Sequence, residues 1–173
     1  LLHWHVATSR GIYMVTNFFS DMAIAKTAER TVLNVFSKIA PQYSFKDVSE
    51  DRQYFYRGDI LTTAKDGREI GIEVKQDSRI WETGNVLCEE KVLFFDNGNK
   101  NMARGNMQSN YDVYCVVSPQ KRRIWVFNFA AMKKCYKHGR YVRIPHKEQI
   151  TFAYLVPIDY FDKQGALMAI IDY

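Results

Sequence analysis

YFYRGDILTTAKDGREIGIEVKQD, residues 54–77, decides how the rest of the chain is read. Two runs rich in aromatic and β-branched residues, about Tyr54–Thr63 and Glu69–Lys75, flank Asp66-Gly67, a dipeptide that favours tight reversal, so the segment reads as a β-hairpin. Two registers compete. A two-residue loop pairs Lys65 with Arg68 and carries Ile60 opposite Glu73, which puts Asp59 and Glu73 on opposite faces because side chains alternate along a strand. One more loop residue, or a bulge with Gly67 left-handed, pairs Ile60 with Ile72 and Asp59 with Glu73. The second register is expected, since Ile60, Ile72 and Val74 then share a buried face. It sets two carboxylates side by side, an arrangement that a proton or a cation relieves.

Lys75, two positions beyond Glu73, falls on the same face. Two or three hard oxygen donors at a partly open position suit Mg²⁺ or Mn²⁺, with water filling the remaining sites. Such a cation polarises a phosphate oxygen and acidifies bound water. An ammonium beside it positions the attacking water and balances negative charge on phosphorus. Lys75 is a poor general base, because neighbouring carboxylates raise an ammonium's pKa.

Upstream, Ser20 can cap a helix from about Asp21 to Ala40 that Pro41 stops. Met22, Ala25, Ala28, Val32, Phe36 and Ile39 recur at three- and four-residue steps. At about 100° per residue Glu29 falls inside that apolar arc, so it is paired, metal-bound or at the edge of the core. Arg30 points outward.

Asp59, an interval of thirteen residues and then Glu73-Val74-Lys75, with Glu29 on the helix AERTVLNVF (28–36), resembles the PD-(D/E)XK superfamily of restriction-endonuclease-like nucleases. The likeness covers roughly residues 21–129, and Glu29 matches the first-helix acid of many members, archaeal-type Holliday junction resolvases among them. It implies an α/β fold with a restriction-endonuclease-like core, a mixed β-sheet flanked by helices. It also implies a Mg²⁺- or Mn²⁺-dependent deoxyribonuclease. Asp59, Glu73, the Val74 carbonyl and Glu29 would be its metal ligands, with Lys75 completing the catalytic set. Gly58 stands where the motif's name has proline.

The following stretch, DSRIWETGNVLCEEKVLFF (77–95), is similar to phage and mobile-element members of the same superfamily. Thr83-Gly84-Asn85 reads as a turn into an extended segment from about Val86 to Phe95. Asn85 or Glu89 would reach phosphate or a metal-bound water; otherwise they are a turn residue and a solvated strand residue. Asp77 either joins the site or hydrogen-bonds the turn.

Residues 96–110 read as a polar Gly/Asn loop whose Lys100 and Arg104 could reach DNA. YDVYCVVSP (111–119) is a central strand, with Asp112 a structural cap, and RRIWVFNF (122–129) its partner through Ser118–Lys121. AAMKKCYKH (130–138) is a short helix ended by Gly139. ITFAYLVPI (150–158) is expected as the last strand, at an edge because of Pro157. Tyr54, Phe55, Tyr56, Phe127 and Phe129 read as core at strand spacing, with a base-stacking platform as the lesser alternative. Residues 1–20, with His3 and His5, are an N-terminal extension, and 21–173 a single domain.

Of the 173 residues 47% are apolar, enough for a core, and no apolar run reaches the roughly eighteen that cross a bilayer. The net charge is +5, yet 120–147 holds nine Lys or Arg and no acid, which leaves 15 basic against 19 acidic residues elsewhere. Lys121, Arg122 and Arg123 in that strip, with Arg79 and Asn85, are the candidate nucleic-acid contacts; a solvated face that binds nothing is the alternative. Cys88, Cys115 and Cys135 lack zinc or disulfide spacing. Phosphate-loop and serine-hydrolase motifs are absent. DNA is the expected partner, a homodimer the expected assembly, and the cytoplasm of a prokaryotic or phage-infected cell the expected compartment. Two readings of other kinds stay open: a catalytically silent module of the same fold, and a phage or mobile-element structural protein.

Overall fold

Helix α1 (Phe18–Ile39) precedes three antiparallel strands, β1 (Phe45–Asp47), β2 (Ile60–Thr63) and β3 (Glu69–Gln76). The computed structural model describes residues 18–54, 56–96, 99–145 and 149–173. Most of the expected N-terminal extension, Phe55 and Lys147 lie outside the described residues.

The β2–β3 hairpin has the register that pairs Ile60 with Ile72 and Thr63 with Glu69. Lys65, Asp66 and Gly67 close the loop: Gly67 is left-handed at φ +82°, and Ala64 N–H donates to the Arg68 carbonyl at 2.8 Å. The first arm is shorter than its aromatic content suggests. Arg52–Tyr54 form a 3-10 turn and Gly58 sits at φ +106°, which no extended strand accommodates. Tyr56 is accordingly exposed and does not belong to the core.

After β3 come the one-turn helix α2 (Ile80–Thr83), β4 (Asn85–Asp96), β5 (Asn99–Arg104), β6 (Val113–Ser118), β7 (Arg123–Asn128) and α3 (Phe129–Cys135). The chain ends in β8 (Arg140–Pro145), β9 (Gln149–Pro157), α4 (Ile158–Lys163) and β10 (Leu167–Asp172). Six strands form one mixed sheet in the order β1-β2-β3-β6-β7-β10, in which β3 and β6 run parallel. The other four form an antiparallel sheet, β5-β4-β9-β8.

Three expectations are corrected. Residues 96–110 are not a plain loop, since they hold β5 and a 3-10 turn at Asn106–Gln108. The strand ending at Pro157 is neither last nor at an edge, for β9 lies between β4 and β8. Pro157 is its final residue, where a missing N–H disturbs no interior ladder. Helix α1 also begins before Ser20, and Met22 and Ile39 at its ends are exposed.

The mixed sheet has a core on each face. Ala28 and Val32 of α1 pack with Ile60, Ile72, Val74 and Cys115 on one side. On the other, Tyr114, Val116, Trp125 and Phe127 pack under the second sheet (Val86, Cys88, Val156) and against Ile80, Phe129 and Phe161. Each fully buried Phe contributes roughly 2–3 kcal/mol. Asp112 ties β6 to β3 by accepting the Gly71 N–H at 2.9 Å, and it lies 3.6 Å from Arg57 and 3.4 Å from Arg68. Its role is structural. Among the described residues no helix is long and apolar enough to cross a membrane.

Candidate active site

The β2–β3 ladder ends at Ile60–Ile72, and one step further Asp59 stands across from Glu73. The Asp59 N–H donates to the Ile72 carbonyl at 2.8 Å, while its Oδ2 accepts the Val74 N–H at 2.8 Å. Even-numbered residues of β3 therefore aim their backbone groups at β2. The Val74 carbonyl, on that side, looks past the start of β2.

Glu73 is 6% exposed and pairs in the parallel ladder with Tyr114, so it rises on the face covered by the second sheet. Lys75 shares that face, and its Nζ lies 2.6 Å from Glu73 Oε1. The ammonium is what makes a nearly buried carboxylate tolerable there. Asp59, Glu73 and Lys75 are thus brought together.

Their electrostatics are strongly unequal. Burial and then the Glu73 charge push the Asp59 carboxyl up to about 7, with Glu29 adding to the effect while Lys75 and the Val74 N–H oppose it. Desolvation pulls the Lys75 ammonium down, but Glu73, Asp59 and Glu89 outweigh it and hold its pKa above the ordinary lysine value. Lys75 remains a cation.

Glu29 is buried on α1, 3.2 Å from Lys26 Nζ, which also contacts Ser49 and lies 3.3 Å from Glu50. Helix α1 packs on the Ile72/Val74 side, opposite Glu73, so Glu29 acts on Asp59 from the other side of the sheet. Among the described residues no three His, Cys, Asp or Glu side chains gather as one metal ion requires, so Glu29 does not join Asp59 and Glu73 in such a group.

Glu89 comes from β4 in the second sheet, at a bulge between Glu89 and Lys91. Burial raises its carboxyl, Glu73 adds to this and Lys75 opposes it. Its carboxyl is therefore within electrostatic range of Glu73 and Lys75, and it is half-buried, not a fully solvated strand residue. Asn106 holds the bulge: its Oδ1 accepts the Glu89 N–H at 3.1 Å and its Nδ2 donates to Tyr114 Oη at 2.8 Å. Gly105 passes so close to Glu89 that a Cβ would stand 2.3 Å from the Glu89 carbonyl. Tyr111 also belongs here, its phenol pushed up to about 12 by burial and by Glu73. Neither Asn106 nor Tyr111 carries a sequence signal: Asn106 bridges Glu89 of the second sheet and Tyr114 of the first, and Tyr111 meets Glu73 and Phe129 only through the tertiary fold.

The remaining candidates have local tasks. Asp77 accepts the Arg79 and Ile80 N–H groups at 2.8 and 3.1 Å and so caps the turn into α2. Burial raises its carboxyl against those two hydrogen bonds. The Asn85 amide donates to the Thr83 carbonyl at 2.7 Å. Arg122 Nε donates to the Tyr173 carbonyl and Arg123 Nε to Asp172, each at 2.5 Å. Lys121 Nζ lies 4.1 Å from the ring centroid of Trp81, and Arg79 is 3.5 Å from Glu82. The basic strip is therefore partly neutralised within the fold, as Lys137 with Glu90 at 2.7 Å also shows.

Two carboxylates and a backbone carbonyl at an open ladder end fit Mg²⁺ or Mn²⁺, hard ions that keep several waters and need only one or two acidic ligands. The Asp59 carboxyl is raised first by burial and then by the Glu73 charge, and a cation between the two acids would offset the second of these.

No family model matches the sequence. No curated protein matches it either. Among solved structures, the bacterial homing endonuclease I-Ssp6803I superposes over 76% of this chain and 77% of its own, with a TM-score of 0.50 and 13% identity. The two share a fold. At that identity the likeness extends to architecture alone.

Proposed function

We propose that the chain is a Mg²⁺- or Mn²⁺-dependent deoxyribonuclease of the PD-(D/E)XK kind, hydrolysing DNA phosphodiesters at Asp59, Glu73 and Lys75. One observation carries this reading: an ammonium 2.6 Å from a buried glutamate, with a second acid across the ladder whose carboxyl is pushed up to about 7. The shared fold with a homing endonuclease supports it.

Asp59, Glu73 and the Val74 carbonyl would hold the ion. When bound, it would polarise a phosphate oxygen and acidify a water. Lys75 has the protein's other part. Fixed by Glu73 and kept cationic by three acids, it orients the attacking water through its N–H groups and offsets negative charge growing on phosphorus. It takes no proton, since an ammonium with a raised pKa is a weak base near neutrality. Glu89, from the second sheet, adds its charge to those that keep the ammonium protonated. A homodimer would present two such sites.

The test is a cleavage assay with Mn²⁺ over linear, branched and single-stranded DNAs, with EDTA and Lys75→Ala as controls. Wild-type protein should cut at least one substrate and do so only with metal. Lys75→Ala should bind the same DNA yet cut it about a hundredfold or more slowly. Absence of metal-dependent cleavage across the panel, or full activity in Lys75→Ala, rules the reading out.

A further inference from the structure

We propose that Trp81 and Lys121 form a base-stacking platform beside this site, selecting DNA with an unpaired base close to the scissile phosphate. The proposal deepens the nuclease reading and relies on it for the cut. The stacking itself does not.

Trp81 is 40% exposed, although its neighbour Ile80 is fully buried. Its mount is rigid. Asp77 holds the entry to α2 through the Arg79 and Ile80 N–H groups, and left-handed Gly84 closes the exit by donating to the Ile80 carbonyl at 2.9 Å. A four-residue helix tied at both ends on a buried Ile80 fixes the backbone that carries the indole. Lys121, from the turn after β6, puts its ammonium 4.1 Å from the ring centroid.

The platform lies at the end of β3 and β6 that carries Lys75. Gln76 pairs with Val117, and the Asp77 N–H donates to the Val117 carbonyl at 3.0 Å. Helix α2 starts three residues later, and Lys121 follows Ser118, the last residue of β6. Trp81 is six residues beyond Lys75, so the chain itself keeps the two within about 20 Å.

An aromatic ring with a cation against it suits one class of ligand well. Every base has a π-face to stack on the ring face that Lys121 does not cover, and a phosphate nearby to meet the ammonium. The surroundings argue against an apolar protein partner, because Glu82 and Thr83 beside Trp81 are polar and exposed. A continuous duplex hides its base faces in the stack and cannot use the ring. A flap, branch or single-stranded end can.

Binding in EDTA separates this from catalysis. A duplex carrying a short flap, with 2-aminopurine at the unpaired position, is compared with the continuous duplex by anisotropy and 2-aminopurine quenching. Wild-type protein should prefer the flap and quench the probe. Trp81→Ala should weaken flap binding about tenfold more than duplex binding. Trp81→Phe should restore most of the difference, which also controls for folding. Lys121→Ala should weaken both and flatten the salt dependence by about one phosphate contact. Equal affinities for flap and duplex, or a Trp81→Ala loss identical on both DNAs, overturn the platform. A protein that stacks the flap base through Trp81 yet cuts nothing with Mn²⁺ keeps the platform and loses the nuclease reading.

Discussion

Asp59 Oδ2 lies 2.8 Å from the backbone nitrogen of Val74, so the first acid of the site is pinned to the strand that carries the second, Glu73. The bond fixes geometry while the neighbouring charge frustrates ionisation. Burial and Glu73 together push the Asp59 carboxyl up to about 7, far above its ordinary value of 3.8.

That shift has a direction in stability. A carboxyl whose folded pKa exceeds its unfolded one stabilises the fold only while protonated. Its contribution is complete below the unfolded value of 3.8 and is lost as pH rises through about 7. Metal-free protein should therefore weaken through this group between about pH 4 and pH 7, and Asp59→Asn should flatten that part of the profile. Urea unfolding in EDTA measures both slopes, and parallel profiles would show that Asp59 is not the group responsible. Because an ion must displace the proton, Mn²⁺ affinity should also tighten as pH rises through about 7 and vanish in Asp59→Asn.

Lys75→Ala tests role and structure together. Removing the ammonium leaves Glu73, only 7% exposed at its side chain, without its 2.6 Å partner. Lys75 is itself 45% exposed at its side chain, so solvent screens part of the pair and the loss of stability should be about 1–2 kcal/mol. Cleavage should fall much further, about a hundredfold or more. A proportionate fall in both would assign Lys75 to the fold alone. Wild-type cleavage should show no rise assignable to lysine deprotonation up to about pH 9, since the three acids hold the ammonium on.

How far the sequence carries depends on where each residue's partners lie. The hairpin was legible because Ile60, Ile72 and Val74 demand a common buried side and Asp66-Gly67 supplies the turn. The central strands were legible because Val113, Cys115 and Val117 run almost unbroken in apolar character. Strand β5 was not legible. NKNMAR sits at a sheet edge with nearly every side chain exposed, so it has no alternation to betray it. Missing β5 and the inner place of β9 hid the second sheet, and with it the reason that Glu89 lies within electrostatic range of Lys75. Tyr54–Asp59 misled in the other direction: its aromatic content resembles a strand, but left-handed Gly58 interrupts any extended run.

Asn106 is the hidden support of that second layer. It is buried and satisfies both the Glu89 N–H and the Tyr114 hydroxyl, at 3.1 and 2.8 Å. Asn106→Ala should leave two polar groups without partners and lower stability by roughly 2–4 kcal/mol. Cleavage per folded molecule should drop as well, because the bulge that aims Glu89 loosens. Unfolding curves paired with activity at a temperature where the variant is folded will separate the two. Loss of stability with unchanged turnover would confine Asn106 to structure and remove Glu89 from the mechanism.

Gly58 offers the sharpest check on the site's backbone, since under the proposed PD-(D/E)XK reading it stands where the motif's name has proline. Proline is locked near φ −65°, whereas Gly58 stands at φ +106°. A Cβ there would come 2.5 Å from the Ile72 carbonyl, the group that accepts the Asp59 N–H. Gly58→Pro therefore should not restore a consensus. It should cost about 3 kcal/mol or more and displace Asp59 from Val74. Gly58→Ala meets the same carbonyl and the same unfavourable φ, so it should lose stability too, though proline's locked ring makes its loss the larger. Thermal unfolding ranks the three proteins, and Mn²⁺ titration reads the position of Asp59. A Gly58→Pro chain with wild-type stability and metal affinity would mean that the left-handed turn into β2 is dispensable, and that Asp59 reaches Glu73 by some other path.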